Sequence, residues 1–328
     1  MMYLVTGGAG FIGSHIVETL LHNGTDVRVL DNLSAGSLEN LAGFEDLPGR
    51  LEFLKGDLRN ADDVRRAVKG VEGVFHQAAL RSVPRSVDDP LSSNDVNVTG
   101  TLQLLVACRE QKNVRRVVYA SSSSAYGDDP TLPKVESLTP HPISPYAATK
   151  VMGEYYCQIY TQLYGLEAVS LRYFNVFGPR QSPESKYAAV VPRFLESAMR
   201  DEPFEVHGDG LQSRDFSYID NVVSANLLAM NAQGAAGQVF NIACGTRYTV
   251  LDVAAAIGTG LGRKVRWEHY PTRAGDVRDT LADISKAQKV LGYQVKVGFE
   301  EGMKRTCAYF AAHWSGATSN AAQVQQGA

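Results

Sequence analysis

Tyr146 and Lys150 stand four residues apart in Tyr146-Ala147-Ala148-Thr149-Lys150, a spacing that puts a phenol and an ammonium on one face of a helix. A phenol ordinarily loses its proton near pH 10, so it acts as a base near neutrality only where its phenolate is stabilised. Hydroxyls gather upstream in Ser121-Ser122-Ser123-Ser124-Ala125-Tyr126-Gly127, directly after the apolar segment Val117-Val118-Tyr119-Ala120. Such a run lies at the carboxyl end of a strand, where open α/β sheets bind ligands. The chemistry that suits these groups is proton transfer to and from an alcohol.

A second motif, Gly7-Gly8-Ala9-Gly10-Phe11-Ile12-Gly13, lies between an expected strand and an expected helix. Gly7 allows a tight turn, Gly10 lets the backbone approach a pyrophosphate, and Gly13 lets helix and strand pack closely. The helix N-terminus then faces the phosphates. Asp31, 18 residues beyond Gly13, ends the next strand with Asn32 beside it. A carboxylate there accepts hydrogen bonds from the adenosine ribose and repels the 2′-phosphate of NADP. Arg28 lies mid-strand and does not read as a phosphate binder, so NAD is the expected cofactor. Its positive nicotinamide ring, together with Lys150, would stabilise the Tyr146 phenolate. Gly56-Asp57-Leu58 follows another strand and is placed to meet the adenine.

These groups need a scaffold that brings distant segments to one edge. Apolar runs predict strands at 2–6, 26–30, 51–56, 73–76, 114–120 and 167–172, and helical patterns cover 11–22, 61–69, 92–112 and 145–164. Strands alternating with helices predict a doubly wound parallel sheet covered on both faces, a Rossmann-like α/β fold. Helices 92–112 and 145–164 carry apolar residues on more than one face, among them Leu102, Leu105, Met152, Tyr155, Ile159 and Leu163. The second face is expected to meet another copy of the chain, giving a homodimer. After Arg172 the rhythm changes, and proline and glycine punctuate shorter elements. The expected division is a nucleotide domain over 1–174, a smaller α/β substrate lobe over 175–315 whose segments interleave with it, and a small, polar, disordered tail over 316–328. Val222-Val223 and a helix over 249–261 read as lobe core.

Composition narrows the function classes. The 328 residues carry 32 Lys plus Arg against 35 Asp plus Glu, a net charge of −3, so no basic surface points to nucleic acid. No apolar run approaches the roughly 20 residues of a spanning helix. The N-terminus lacks a basic region and a cleavage site, which points to a cytoplasmic protein with no membrane partner. Cys108, Cys157, Cys244 and Cys307 are scattered without a C-x-x-C pair, so neither a metal site nor a disulfide framework is expected.

The glycine motif, the serine run, Tyr146/Lys150 and Arg172-Tyr173-Phe174-Asn175-Val176-Phe177-Gly178 together resemble an extended short-chain dehydrogenase/reductase. Within that superfamily the chain is similar to UDP-sugar 4-epimerases that accept N-acetylated sugars, from Tyr3 to about Trp314. The resemblance implies that Ser122 holds the reacting sugar hydroxyl, with Ser123 beside it, that Tyr146 is the base, and that Lys150 binds the nicotinamide ribose. It implies cofactor contacts from Gly7, Gly10, Phe11, Ile12, Gly13, Asp31, Asn32, Asp57, Leu58, Gln77, Ala78, Ala79, Arg81, Asn97 and Tyr173. It assigns Arg81, Asn175, Val190, Arg214, Arg273, Asp276 and Thr280 to the UDP-sugar. At the position of Thr280, a tyrosine restricts such pockets to plain hexoses, and a small residue admits the acetamido group.

The implied reaction is redox-neutral. C4 is oxidised to a 4-keto sugar, the sugar turns over in the site, and C4 is reduced from the opposite face, with NAD retained. Sugar 4,6-dehydratases, which the chain also resembles, carry an Asp-Glu pair where Ser123 and Ser124 stand. UDP-glucuronate decarboxylases carry a glutamate at Ser124. UDP-glucuronate 4-epimerases usually read Thr-Val-Tyr-Gly where this chain has Asn175-Val176-Phe177-Gly178, which leans against a uronate. A non-catalytic NAD-binding regulator on the same fold has no need of a phenol beside a lysine.

Overall fold

Met2–Thr6 forms β1, buried along nearly its whole length, and the elements that carry the site are arranged around its carboxyl end. The computed structural model describes residues 1–183, 189–272 and 277–314. β1 pairs in parallel with β2 (Asp26–Asp31), and β2 with β3 (Leu51–Lys55). On its other side β1 pairs with β4 (Gly73–His76), followed by β5 (Arg116–Ser122) and β6 (Glu167–Tyr173). Four short strands come next in the chain: β7 (Val176–Phe177), β8 (Phe204–His207), β9 (Ser213–Asp215) and β10 (Ser217–Tyr218). β11 (Val239–Ile242) then returns to pair with β6. The resulting seven-stranded parallel sheet has the order β11-β6-β5-β4-β1-β2-β3. The chain winds outward in both directions from β1, so β1 and β4 flank the switch point where such sheets open a ligand crevice.

Helices cover both faces. On one side lie α1 (Phe11–His22) and, later in the chain, α8; on the other lie α2 (Ala61–Val68), α5 and α6. The expected helix over 92–112 is broken into parts. After α3 (Val83–Asp88), α4 (Pro90–Asn94) runs into a π-helical turn at Asp95–Thr99, and α5 (Gly100–Glu110) follows. π-turns often mark functional positions, and this one contains Asn97. The helix expected over 145–164 is α6 (Pro145–Tyr164). Ser144 accepts from the Ala147 N–H at 3.1 Å, Pro145 opens the first turn, and Gly165 closes the last with φ 69°. α6 sits low on the sheet: a Cβ on Gly153 would lie 2.2 Å from the Tyr119 phenol oxygen.

The C-terminal part follows with α7 (Val190–Met199), α8 (Ile219–Asn231), β12 (Arg247–Thr249), α9 (Val250–Leu261), β13 (Trp267–Tyr270), α10 (Ser285–Leu291) and α11 (Phe299–His313). β10 pairs with β7, β12 with β9, and β13 with β8. Val222 and Val223, expected in the lobe core, are buried instead on α8 against the nucleotide half, whereas a reciprocal Thr249/Asp252 capping box starts α9, whose Val253, Ala254 and Ile257 fill the lobe core. β11 and α8, although they follow residue 174, build the nucleotide half, so the chain crosses between the two parts. Arg28 donates to the carbonyls of Ala67 and Lys69 and pairs with Glu52, which leaves it no role at the crevice. All four cysteines are free. Among the described residues, no helix is long and apolar enough to cross a membrane.

Candidate active site

A cavity of about 820 Å³ opens at the carboxyl ends of β1, β2, β4 and β5. Its nucleotide end is the glycine turn. Gly7 has φ 68°, and a Cβ there would lie 2.8 Å from the Ala78 backbone; a Cβ on Gly13 would lie 2.2 Å from the Gly7 carbonyl oxygen. Only glycine permits this double approach, which brings the start of α1 against the turn after β1, and that turn against the segment after β4. Gly10 precedes α1 without a side-chain cap, so the first-turn N–H groups of Phe11, Ile12 and Gly13 face the cavity as anion donors. Asp31 accepts from the Ala9 N–H at 3.0 Å and the Leu33 N–H at 2.8 Å, one on each carboxylate oxygen. It braces the turn and keeps lone pairs for a ribose, while burial raises its carboxyl above the usual range. A buried acid, a crowded glycine turn and open helix N–H groups fit NAD.

The other sequence-expected cofactor residues divide into walls and braces. Asn32, Leu58, Gln77, Ala78, Ala79, Arg81 and Tyr173 line the cavity. Asp57 lines it too, but its carboxylate is taken by Arg59 and by the Asn32 amide, which hold it well below the usual carboxylate range. Gln77 Nε2 donates to the Tyr173 hydroxyl and to Asn226 Oδ1, both at 3.1 Å, so Asn226 of α8 fixes both walls. Asn97 departs from its expected role, for it is not part of the cavity wall. Its amide accepts from the Leu80 N–H at 2.8 Å, and donates to the Leu80 carbonyl and to Thr149, which uses up the side chain. Asn97 clamps the Gln77–Arg81 segment onto α6.

At the chemical end, Ser122, Tyr146 and Lys150 meet on one wall. The Ser122 hydroxyl and Tyr146 line the same cavity, and Ser122 accepts from Ser124 Oγ at 2.8 Å. Burial raises the Tyr146 phenol above its ordinary value, while the Ser122 hydrogen bond and the Arg81 charge lower it. Lys150 Nζ donates to the Ala120 carbonyl at 2.8 Å and lies 5.9 Å from the centre of the Tyr146 ring. Burial holds its ammonium down to about 8, against the pull of Glu154. Ser86 of α3 was not legible in advance: its Oγ accepts the backbone N–H of Tyr146 at 3.0 Å. An orphan first-turn donor of a buried helix needs such a partner, but the sequence does not say from where.

Ser123, Asn175, Arg214 and Thr280 complete the far wall. The Thr280 hydroxyl oxygen is buried with no hydrogen-bond partner in the protein. Asn175 and Arg214 also line a side cavity of about 240 Å³, where Val190 lies with Phe216 and Gln212. Arg273 and Asp276 lie outside the described residues. No cluster that could hold a metal ion occurs among the described residues.

Residues 3–243 match the model of the NAD dependent epimerase/dehydratase family. The UDP-glucose 4-epimerase of Mycolicibacterium smegmatis is 41% identical over 312 residues, covering 94% of this chain and 98% of that protein. The structure of the UDP-N-acetylglucosamine 4-epimerase from Methanobrevibacter ruminantium, in complex with UDP-N-acetylmuramic acid, is 40% identical, with a TM-score of 0.89 over 94% of this chain and 98% of that one. The UDP-glucuronic acid 4-epimerase from Bacillus cereus, solved with UDP-glucuronic acid and NAD, is 32% identical, with a TM-score of 0.88 over 95% and 99%.

Proposed function

The chain belongs to the NAD dependent epimerase/dehydratase family, and from that membership we propose that it interconverts UDP-N-acetylglucosamine and UDP-N-acetylgalactosamine at C4. It is an NAD-dependent isomerase of the extended short-chain dehydrogenase/reductase type, a UDP-sugar 4-epimerase. UDP-glucose and UDP-galactose are the poorer substrates. One observation carries the reading: Ser122 and Tyr146 share a cavity wall with the glycine turn and Asp31, and hydroxyls rather than carboxylates follow at Ser123 and Ser124. A C4 redox step needs the first set; elimination or decarboxylation would need acids at the second.

NAD held along the glycine turn would supply the hydride acceptor and donor that a C4 redox step needs. Tyr146 takes the proton of the C4 hydroxyl and gives one back after the 4-keto sugar has turned over. Ser122 holds the oxygen that gains and loses that proton. Lys150 would hold the nicotinamide ribose, and its ammonium adds positive charge 5.9 Å from the centre of the phenol ring. Arg214 and Asn175 grip the nucleotide between the two cavities, a task shared with Arg273 and Asp276. A tightly held nucleotide leaves the sugar free to rotate. Thr280 leaves room for the acetamide.

A uronate in place of the plain or acetylated sugar is the second reading, and one observation favours it. Arg81 lines the cavity and makes no ion pair among the described residues, so a sugar carboxylate would find a cation there. The purified protein, given UDP-N-acetylglucosamine, UDP-glucose and UDP-glucuronate without added NAD, is followed by anomeric proton NMR. The acetylated pair should equilibrate fastest. Turnover of UDP-glucuronate alone would install the second reading, and no turnover with stoichiometric bound NAD would leave a non-catalytic protein.

The working form is a homodimer. Met152, Tyr155, Ile159 and Leu163 form an exposed apolar stripe along α6, and Leu91 of α4 is 77% exposed beside them. A second copy of the same face would cover both.

A further inference from the structure

Tyr146, Lys150 and Glu154 are spaced by four along α6 and share the face turned to the sheet. Glu154 is 2% exposed, and the mechanism above leaves it without a task. Its carboxylate accepts from Arg172 of β6 at two points, Nε to Oε1 at 2.8 Å and Nη2 to Oε2 at 2.7 Å. It also accepts from Ser121 Oγ, one residue before Ser122 at the end of β5. The Arg172 guanidinium lies 4.5 Å above the Tyr126 ring, and the Tyr126 hydroxyl donates to Asn241 Oδ1 at 2.7 Å. The Asn241 amide in turn donates to the carbonyls of Lys134 and Asp283, the latter three residues beyond Thr280. One buried carboxylate is therefore the node between the base helix, the serine strand and the substrate lobe.

Stability alone does not account for this node. A buried ion pair is weak evidence for stability, since apolar replacements of similar volume are often neutral or better. Here Arg172 Nη1 is buried without any partner, and the Lys150 ammonium adds a second buried cation. Lys150 is faced by His76 from β4, by the Tyr119 ring from β5 and by Tyr146 and Glu154 from its own helix. Arg172 of β6 stands beyond Glu154, and Cys157 lies near Tyr119. Among these groups Glu154 supplies the negative charge.

We propose that Glu154 is a positioning residue for the C4 reaction: its carboxylate, anchored by Arg172 one helical turn beyond Lys150, is the negative group of this buried cluster and, through Ser121, holds Ser122 in place at the end of β5. The proposal rests on the epimerase reading for the reaction it serves, but the charge of Lys150 can be followed without turnover.

The variants are Glu154→Gln and the double variant Glu154→Gln/Arg172→Met, which removes the stranded guanidinium and protects folding. In the holoprotein, trace acetylation with mass-spectrometric counting across pH gives the titration midpoint of Lys150. An opposite charge nearby typically moves such a midpoint by about 1–3 pH units, so Glu154→Gln should titrate at least about one unit lower than wild type, and the double variant, which also loses the Arg172 cation, should shift the same way by less. The alkaline limb of kcat should move down with it, with KM for the UDP-sugar held. An unchanged Lys150 midpoint in folded Glu154→Gln overturns the proposal, as does wild-type kcat at all pH values in the folded double variant. A wild type that turns over no UDP-sugar would instead defeat the epimerase reading, and the labelling result would still report on Glu154.

Discussion

The backbone N–H of Tyr146 donates to Ser86 Oγ at 3.0 Å, and that bond fastens α3 to the first turn of α6. The phenol is thus carried by a backbone contact that its own side chain does not make. α3 brings Val83, Pro84 and Val87 to the cavity mouth, so one hydrogen bond ties this part of the wall to the turn that carries Tyr146.

Tyr146→Phe removes only the phenol oxygen and leaves the Ser86 bond intact. Folding and NAD content should survive, while turnover falls by about 10² to 10⁴, the usual range for a positioned general base. Ser122→Ala should cost less, because the base remains. Steady-state kinetics with circular dichroism and released-cofactor counts decide it, and wild-type turnover in Tyr146→Phe would dismiss Tyr146 as the base.

The cofactor released on denaturation should be NAD by mass. A 2′-phosphate brought beside Asp31 meets a carboxylate in a partly buried setting, where like charges repel strongly. NADP in the released fraction would sink the assignment of Asp31.

Thr280→Tyr should act on sugar size. An added ring in the sugar's path is overpacking, typically about 1–3 kcal/mol or roughly 5- to 150-fold. The loss should fall on UDP-N-acetylglucosamine and UDP-N-acetylgalactosamine and spare the plain hexoses. Equal losses for both pairs would show that Thr280 does not set the limit.

His76 should make the fold acid-sensitive. It bonds Thr6 at 2.7 Å and Thr101 at 2.9 Å, and burial with the nearby Lys150 charge lowers its imidazole to about 3. The unfolded chain binds that proton near pH 6.5, so unfolding takes up a proton between the two values. The contribution of neutral His76 is full above about 6.5 and is lost as pH falls, at roughly 1.4 kcal/mol per pH unit. Urea unfolding of wild type and His76→Gln from pH 7 to 5 should give slopes that differ by one proton. Parallel slopes would assign the uptake to other groups.

If α6 carries the proposed dimer contact, the wild type should sediment as a dimer and Ile159→Glu as a monomer in analytical ultracentrifugation, since the charge falls in the middle of the exposed α6 stripe. A monomeric wild type would remove the dimer from the description altogether.

What could be read in the chain was local. The glycine turn, Asp31 and the pair Tyr146/Lys150 depend on short spacings, and α6 is bounded by Pro145 and Gly165. The sheet followed because six strands alternate with helical patterns. The rest depends on partners far apart in sequence. Asn97 could not be read as a clamp on Leu80, because the π-turn that aims it belongs to the packed structure. Asn226 meets Tyr173 across 53 residues, and Ser86 meets Tyr146 across 60. A signal for Glu154 was present: it continues the series of four after Lys150, and Arg172 sits in a strand with no room for an unpaired cation.

Gly153 acts as a shim of zero thickness between α6 and the sheet. With the Tyr119 phenol oxygen occupying the space where a first side-chain carbon would go, even a methyl group at 153 must lift the helix or push Tyr119 aside. Tyr146 and Lys150 ride on that helix, whereas Ser122 rides on the strand beneath. The clearance at Gly153 therefore sets how far the Tyr146 phenol stands from the Ser122 hydroxyl, and Gly153→Ala would detune the proposed reaction with every proposed reacting group still in the chain.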